Sequence, residues 1–174
     1  KVPYDLMRDL VPVSYTATIL IALVVHPSLP VKSVKELIAL AKAHPGQINY
    51  ASGGIGGTHH LSAALFSYTA GIEMIHAPYK SGSAAASDLM GGQVQLMFEQ
   101  MYSALPSIQS GKVRPLAVTA AKRNSLLPQV PTMAEQGFPE VEVLNWQGLV
   151  GPKGLPADLI ATLGNACNKA LTDA

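Results

Sequence analysis

The chain has 174 residues, of which 48% are hydrophobic and only 13% are charged, and its formal net charge at pH 7 is +1. This composition excludes intrinsic disorder, which combines low hydrophobicity with high net charge. It also argues against a nucleic-acid partner, because no basic excess is present to neutralise phosphates. The longest apolar run, Ala17–Val25, is far shorter than the roughly 20 residues that cross a bilayer core.

Strand-like and helix-like segments alternate along the chain. A strand is predicted at 19–25, and a helix follows from the capping box Ser33–Glu36 to about His44. Further strands are predicted at 48–51, 72–77, 94–98 and 116–119, an extended segment at 141–150, and helices from Thr58, at 83–90, at 102–110, at a second capping box Thr132–Glu135, and from Pro156. The strands are apolar on both faces, so we predict an α/β fold whose sheet carries helices on both faces.

The strongest local feature is a glycine-rich loop between a strand and a helix. It runs from Ser52 to Thr58 and contains four glycines. Backbone N–H groups and the dipole at a helix N-terminus favour an anion, and the hydroxyls of Ser52 and Thr58 add donors. Two interpretations stay open, a carboxylate or phosphate site and a tight turn. A dinucleotide loop is not indicated, because His59 stands where that motif needs glycine.

Two further strand ends carry polar groups. The turn Tyr79–Ser83 leads from a strand into a helix, and Glu99 ends the next strand. Open α/β sheets bind ligands at the carboxyl ends of their strands. The turn is therefore either a second ligand loop or a plain connection. Glu99 would disfavour an anion unless it lies outside the contact shell or receives an amine, so we keep it as a rim or specificity residue.

The sequence does not indicate an enzyme. His59 and His60 are adjacent and point about 100° apart on a helix, so they form a poor metal pair. We expect His60 and His76 to have hydrogen-bonding structural roles. A nucleophile elbow is absent, and Cys167 falls on the apolar face of the last helix. We expect no catalytic residue, no metal and no cofactor.

Taken in order, these segments resemble the substrate-binding proteins of the tripartite tricarboxylate transporter family, also called Bug or TctC-like extracytoplasmic solute receptors. No single motif is specific, but the ordered series is. The matching segments are Pro27–Pro30 leading to Lys35–Leu37, Pro45–Gly46 with Asn49–Tyr50, Ser52–Leu61, His76–Lys80, Asp88–Val94, Gly111–Lys112 with Leu116–Thr119, and Leu127–Gly137.

The resemblance implies a type II periplasmic-binding-protein fold with a mixed sheet, in which two α/β domains enclose a small carboxylate. It places the second, ligand-binding domain at 26–140, and makes 1–25 and 141–174 crossing strands plus a remnant of the first domain. The implied partners are a dicarboxylate, tricarboxylate, amino acid or aromatic acid, and membrane transporter subunits in the periplasm. The expected ligand-binding residues are Ser52, Gly53, Gly54, Gly56, Gly57, Thr58, His60, Tyr79, Ser81 and Ser83.

The chain also departs from the family pattern. Ser81 stands where the family usually has glycine and Ala84 where it usually has proline, so the resemblance does not fix the shape of the second loop or the ligand specificity. Most of the first domain and any export signal are expected to lie outside this chain. We therefore expect weak or absent binding by the chain alone, and self-association through uncovered apolar surface. The alternative is an inducer-sensing effector domain of a transcription regulator.

Overall fold

The computed structural model describes residues 3–172. Within this range the helices are α1 Leu6–Asp9, α2 Val34–Ala43, α3 Thr58–Ala70, α4 Gly82–Met90, α5 Met101–Gln109 and α6 Ala157–Thr172. The strands are β1 Leu10–Val25, β2 Asn49–Ser52, β3 Ile75–Pro78, β4 Leu96–Gln100, β5 Arg114–Val118 and β6 Leu144–Pro152. None of the described helices is long and apolar enough to cross a membrane.

Residues Leu20–Asn145 form one compact unit, and the described residues before and after them form a second. The sheet of the first unit has the strand order β3-β2-β4-β1-β5. Strands β3, β2 and β4 are parallel, whereas β1 is antiparallel to both β4 and β5. The predicted α/β architecture with a mixed sheet is therefore confirmed.

Side chains from the end of β1 contribute to both hydrophobic clusters of this unit, because they alternate between the two faces of the sheet. Ile21, Leu23 and Val25 face one cluster, which contains Leu37 of α2 and Phe66 of α3. The neighbouring residues Ala22 and Val24 face the other cluster, which contains Ala85 and Leu89 of α4 and Ala104 of α5. Helices thus cover both faces, as the apolar strands predicted.

The two predicted capping boxes form with different completeness. The Ser33 hydroxyl accepts a hydrogen bond from the Glu36 N–H at 3.1 Å, but the Glu36 carboxylate accepts from the Lys32 N–H at 2.6 Å and not from Ser33. In the second box both bonds form, Glu135 N–H to the Thr132 hydroxyl at 3.1 Å and Thr132 N–H to the Glu135 carboxylate at 2.9 Å. This box begins only a 3₁₀ turn, Ala134–Gln136.

The second unit contains the start of β1, most of β6, and α6. Strand β1 begins at Leu10, earlier than the predicted 19–25, because β6 pairs with β1 and so provides a partner for a stretch in which Pro12 and Ser14 argue against a strand. Pro12 is tolerated there at an exposed position. Helix α6 packs close to β1: a Cβ atom at Gly164 would lie 3.1 Å from the carbonyl oxygen of Val13.

Candidate functional site

The three parallel strands end at one edge of the sheet. Ser52 at the end of β2 pairs with Pro78 at the end of β3, and Ala51 pairs with Met97 of β4. The glycine loop, the turn after β3 and the end of β4 therefore meet at this edge. This is where open α/β sheets place their ligands.

Ser52 organises the glycine loop. It is fully buried, and its hydroxyl oxygen accepts a hydrogen bond from the Gly54 N–H at 3.2 Å. The same oxygen lies 3.1 Å from the carbonyl oxygen of Gly54 and 2.6 Å from Nε2 of His76. Because all these contacts lie within the protein, the hydroxyl fixes the turn of the loop.

The rings of Tyr50, His76 and His60 pack against one another beside the glycine loop. The ring centroids of His60 and His76 are 4.2 Å apart, and those of His76 and Tyr50 are 4.9 Å apart. Nδ1 of His60 accepts a hydrogen bond from the Gly56 N–H at 3.2 Å. Burial, followed by the neighbouring His60, lowers the pKa of His76 below its usual value. The expected hydrogen-bonding roles of both histidines are confirmed.

The N-terminus of α3 has no side-chain cap. Gly57 occupies the N-cap position, and no side chain accepts a hydrogen bond there. Thr58, from which the helix was predicted, is its first helical residue and therefore cannot serve as its N-cap. The first main-chain hydrogen bond runs from Leu61 N–H to the carbonyl oxygen of Gly57 at 3.0 Å. The preceding N–H groups of the first turn are those that an external anion would satisfy.

The second loop packs directly on the first. The Tyr79 N–H donates to the carbonyl oxygen of Ser52 at 2.9 Å. A Cβ atom at Gly53 would lie only 2.6 Å from the backbone nitrogen of Gly82, so the two main chains touch there. Helix α4 begins at Gly82 and not at the predicted Ser83, since Ser81 is its N-cap and accepts from the Ala84 N–H at 3.2 Å.

A pocket of about 510 Å³ opens beside these loops, between α4 and α5. Of the predicted site residues only Ser83 lines it. Its other lining residues are His59, Gly82, Ala86, Ser87, Met90, Glu99, Gln100, Tyr102, Ser103 and Ser107. Glu99, the charged residue at the end of the apolar strand β4, was the sequence signal for this pocket, whereas Ser87, Ser103 and Ser107 carried no such signal.

Glu99 and His59 face each other in this pocket. Nε2 of His59 and Oε1 of Glu99 are 3.7 Å apart, within ion-pair range but longer than a hydrogen bond. Burial raises the pKa of Glu99 to about 7, although the Gln100 N–H opposes the shift, and burial lowers the pKa of His59. Burial therefore disfavours the charged form of each residue, and near pH 7 Glu99 is present in both its neutral and its ionised form. Nε2 of His59 and Oε2 of Glu99 have no hydrogen-bond partner among the described residues.

The described residues 3–172 contain no group of three or more histidine, cysteine, aspartate or glutamate side chains arranged to hold a metal ion. The polar groups available where the three parallel strands end are backbone N–H groups, hydroxyls and one buried carboxyl group. Such a set can bind by hydrogen bonds and charge–dipole attraction.

Known proteins from several bacteria are similar to this chain over nearly its whole length. A protein from Pseudomonas sp. (strain P51), described as a UPF0065 protein in the tcbD-tcbE intergenic region, is 40% identical over 172 residues, which is 98% of this chain and 51% of that protein. Protein BugT of Bordetella pertussis is 38% identical over 171 residues, which is 98% of this chain and 52% of BugT. The chain thus spans about half the length of the curated relatives it matches.

Solved structures agree with the fold. An R. palustris protein solved with adipate superposes with a TM-score of 0.88 at 35% identity, covering 98% of this chain and 56% of that one. A structure described as a periplasmic transporter gives 0.93 at 36% identity, covering 99% and 58%. MatC of Rhodopseudomonas palustris, solved with malate, gives 0.86 at 28% identity, covering 95% and 56%.

The family model described as tripartite tricarboxylate transporter family receptor matches residues 1–174. This confirms the resemblance that the ordered motifs carried, and also the periplasmic-binding-protein fold. The family consists of solute-binding receptors and not of enzymes. The chain belongs to the tripartite tricarboxylate transporter receptor family.

Proposed function

We propose that the chain is the ligand-binding part of a periplasmic receptor that captures a small organic acid for a tripartite tricarboxylate-type membrane transporter. Residues 26–140 would be the ligand-binding domain. The proposed ligand-binding residues are Ser52, Gly53, Gly54, Gly56, Gly57, Thr58, His60, Tyr79, Ser81 and Ser83.

The observation that carries this proposal is the uncapped N-terminus of α3 beside the glycine loop. Its first-turn N–H groups and the helix dipole suit a carboxylate. The neighbouring helix α4 differs, because Ser81 caps it. A carboxylate therefore has a reason to bind at α3 in preference to α4. Charge-assisted hydrogen bonds of this kind contribute about 1.5–3 kcal/mol each.

The other residues have distinct roles in this proposal. Ser52 and His60 hold the loop in shape through the contacts described above. The turn Tyr79–Ser83 forms the other wall of the site, because Gly82 lies against Gly53. The adipate and malate of the two solved relatives support a carboxylate as the ligand class.

The test is a nuclear magnetic resonance titration of the ¹⁵N-labelled chain at millimolar ligand. Adipate should shift the amide resonances of residues 53–60, and the uncharged diamide of adipic acid should not. Calorimetry should show that the affinity is weaker than micromolar. Equal shifts with acid and diamide, or no shifts in this loop, would overturn the proposal.

A pair of variants tests the placement of the carboxylate. Thr58→Asp adds a negative charge to the first turn of α3, whereas Thr58→Asn adds a side chain of the same shape without the charge. The aspartate variant should weaken adipate binding at least tenfold relative to the asparagine variant. Equal affinities would show that the acid binds elsewhere.

A further inference from the structure

The pocket between α4 and α5 has a composition unlike that of an anion site. Four serines line it in two pairs, Ser83 with Ser87 on α4 and Ser103 with Ser107 on α5. Residues four apart share one face of a helix, so each pair lies along the groove. The Ser107 hydroxyl donates to Sδ of Met90 at 3.2 Å and the Ser83 hydroxyl lies 3.0 Å from that of Ser81, whereas Ser87 and Ser103 make no side-chain hydrogen bond within the described residues. No lysine or arginine is among its lining residues. A second carboxylate entering here would find no cation to pair with.

The inner end of the pocket holds two polar atoms without partners. The Glu99 side chain is only 7% exposed, and its Oε2 atom makes no hydrogen bond within the described part of the chain. Nε2 of His59, 3.7 Å from Oε1 of Glu99, is also without a partner there. Buried polar groups in native proteins are almost always hydrogen-bonded. A group that both donates and accepts would satisfy the two together.

A hydroxyl group has this property. It donates to the oxygen of ionised Glu99 and accepts from the tautomer of His59 that carries its proton on Nε2. An ammonium group cannot accept from that N–H, and a carboxylate cannot donate to ionised Glu99. The serine hydroxyls further along the groove also both donate and accept. The whole pocket is therefore matched to a chain of hydroxyl groups.

The pocket is also close to the proposed carboxylate site. His59 is the second residue of α3, so it lies within one helical turn of the N–H groups assigned to the carboxylate. Gly82 lines the pocket and also touches the glycine loop. One small molecule can therefore contact both places.

We propose that this pocket selects acids whose remaining polar groups are hydroxyls, and that Glu99 and His59 are its specificity-determining residues. The inference rests on the proposed carboxylate site at α3. The pocket would prefer a monocarboxylate with a hydroxylated chain over a dicarboxylate or an amino acid with a distal amine.

Three acids with six carbons test this choice, since all of them have a carboxylate at one end and they differ in the rest of the molecule. Gluconate has hydroxyl groups, adipate has a second carboxylate, and 6-aminohexanoate has an ammonium group. Titrations of the ¹⁵N-labelled chain should give gluconate a Kd at least tenfold lower than the other two. Its binding should shift the amides of Ser83 and Ser103 in addition to those of the glycine loop.

Two variants separate this inference from the proposed function. Glu99→Leu should weaken gluconate binding about tenfold and Ser103→Ala about fivefold, while neither variant should weaken the binding of adipate. Ser125→Ala, an exposed serine outside the pocket, is the matched control and should change neither. Ser103 is also exposed, so its variant keeps the test decisive if the Glu99 variant does not fold.

The other outcomes are distinguishable. Tighter binding of adipate or 6-aminohexanoate than of gluconate would overturn the inference and leave the carboxylate site in place. Equal losses for gluconate and adipate in the two variants would also overturn it. If none of the three acids shifts the glycine loop, the proposed function fails and this inference fails with it.

Discussion

Replacing Glu99 by glutamine should make the chain more stable at alkaline pH. Glu99 is the buried carboxyl group of the described residues and is 6% exposed. Burial raises its pKa from 4.5 to about 7. Between these values the folded chain keeps a proton that the unfolded chain has released. Protonated Glu99 therefore contributes its full stabilisation of the folded chain below pH 4.5, and this stabilisation is lost as the pH rises through 7.

The expected magnitude follows from the two pKa values. Each pH unit between them corresponds to about 1.4 kcal/mol, so ionised Glu99 lowers the free energy of unfolding by about 3 kcal/mol above pH 7. Glutamine has nearly the same shape and cannot ionise. The stability of Glu99→Gln relative to the unchanged chain should therefore rise by about 2–3 kcal/mol between pH 5 and pH 8.

The assay is urea denaturation followed by circular dichroism at pH 5, 6, 7 and 8. Glu140→Gln, which removes an exposed carboxylate, is the control and should show almost no pH-dependent difference. A ¹³C resonance of the Glu99 carboxyl group that titrates near 4.5 would refute the reasoning. So would a stability difference between Glu99→Gln and the unchanged chain that is the same at pH 5 and pH 8.

Three further predictions concern the loops around the site. Gly53→Ala should destabilise the chain by about 1–3 kcal/mol, because its Cβ atom would lie 2.6 Å from the backbone nitrogen of Gly82; Gly91→Ala, whose nearest contact would be 3.5 Å, should cost far less in the same urea denaturation. Ser52→Ala should cost about 1–3 kcal/mol of unfolding free energy, since it leaves Nε2 of His76 without its serine partner; an unchanged urea midpoint would contradict this. His76 should titrate below its usual pKa of 6.5 in a proton-resonance titration, and because its folded pKa is lowered, this residue should reduce stability as the pH falls through 6.5.

The local features of the fold could be predicted from the sequence. The capping residues Ser33 and Thr132 each bind the N–H group three positions later, as predicted, although only Ser33 begins an α-helix and Thr132 precedes a 3₁₀ turn. The glycine loop follows a strand and precedes a helix in the structure as in the sequence. These signals are short-range, so a single sequence contains them completely.

The pocket could not be predicted in the same way. His59 and Glu99 are 40 positions apart in the chain and meet only because β2 and β4 are neighbours in the sheet. Strand order is not encoded in local periodicity. Glu99 could be singled out as a charged residue ending an apolar strand, but its partner could not. For the same reason the early start of β1 at Leu10 depends on a partner strand more than 100 residues later.

The central position of β1 has a consequence for folding of the chain. Leu23 pairs with Phe98 and Ala117, which lie 75 and 94 positions later in the sequence. Pairings of this separation form slowly, because the entropy of the intervening chain is lost before the strand contacts are gained. Until they form, an unpaired, strongly apolar strand is available for pairing with other chains. Refolding of the chain should therefore compete with aggregation through the end of β1.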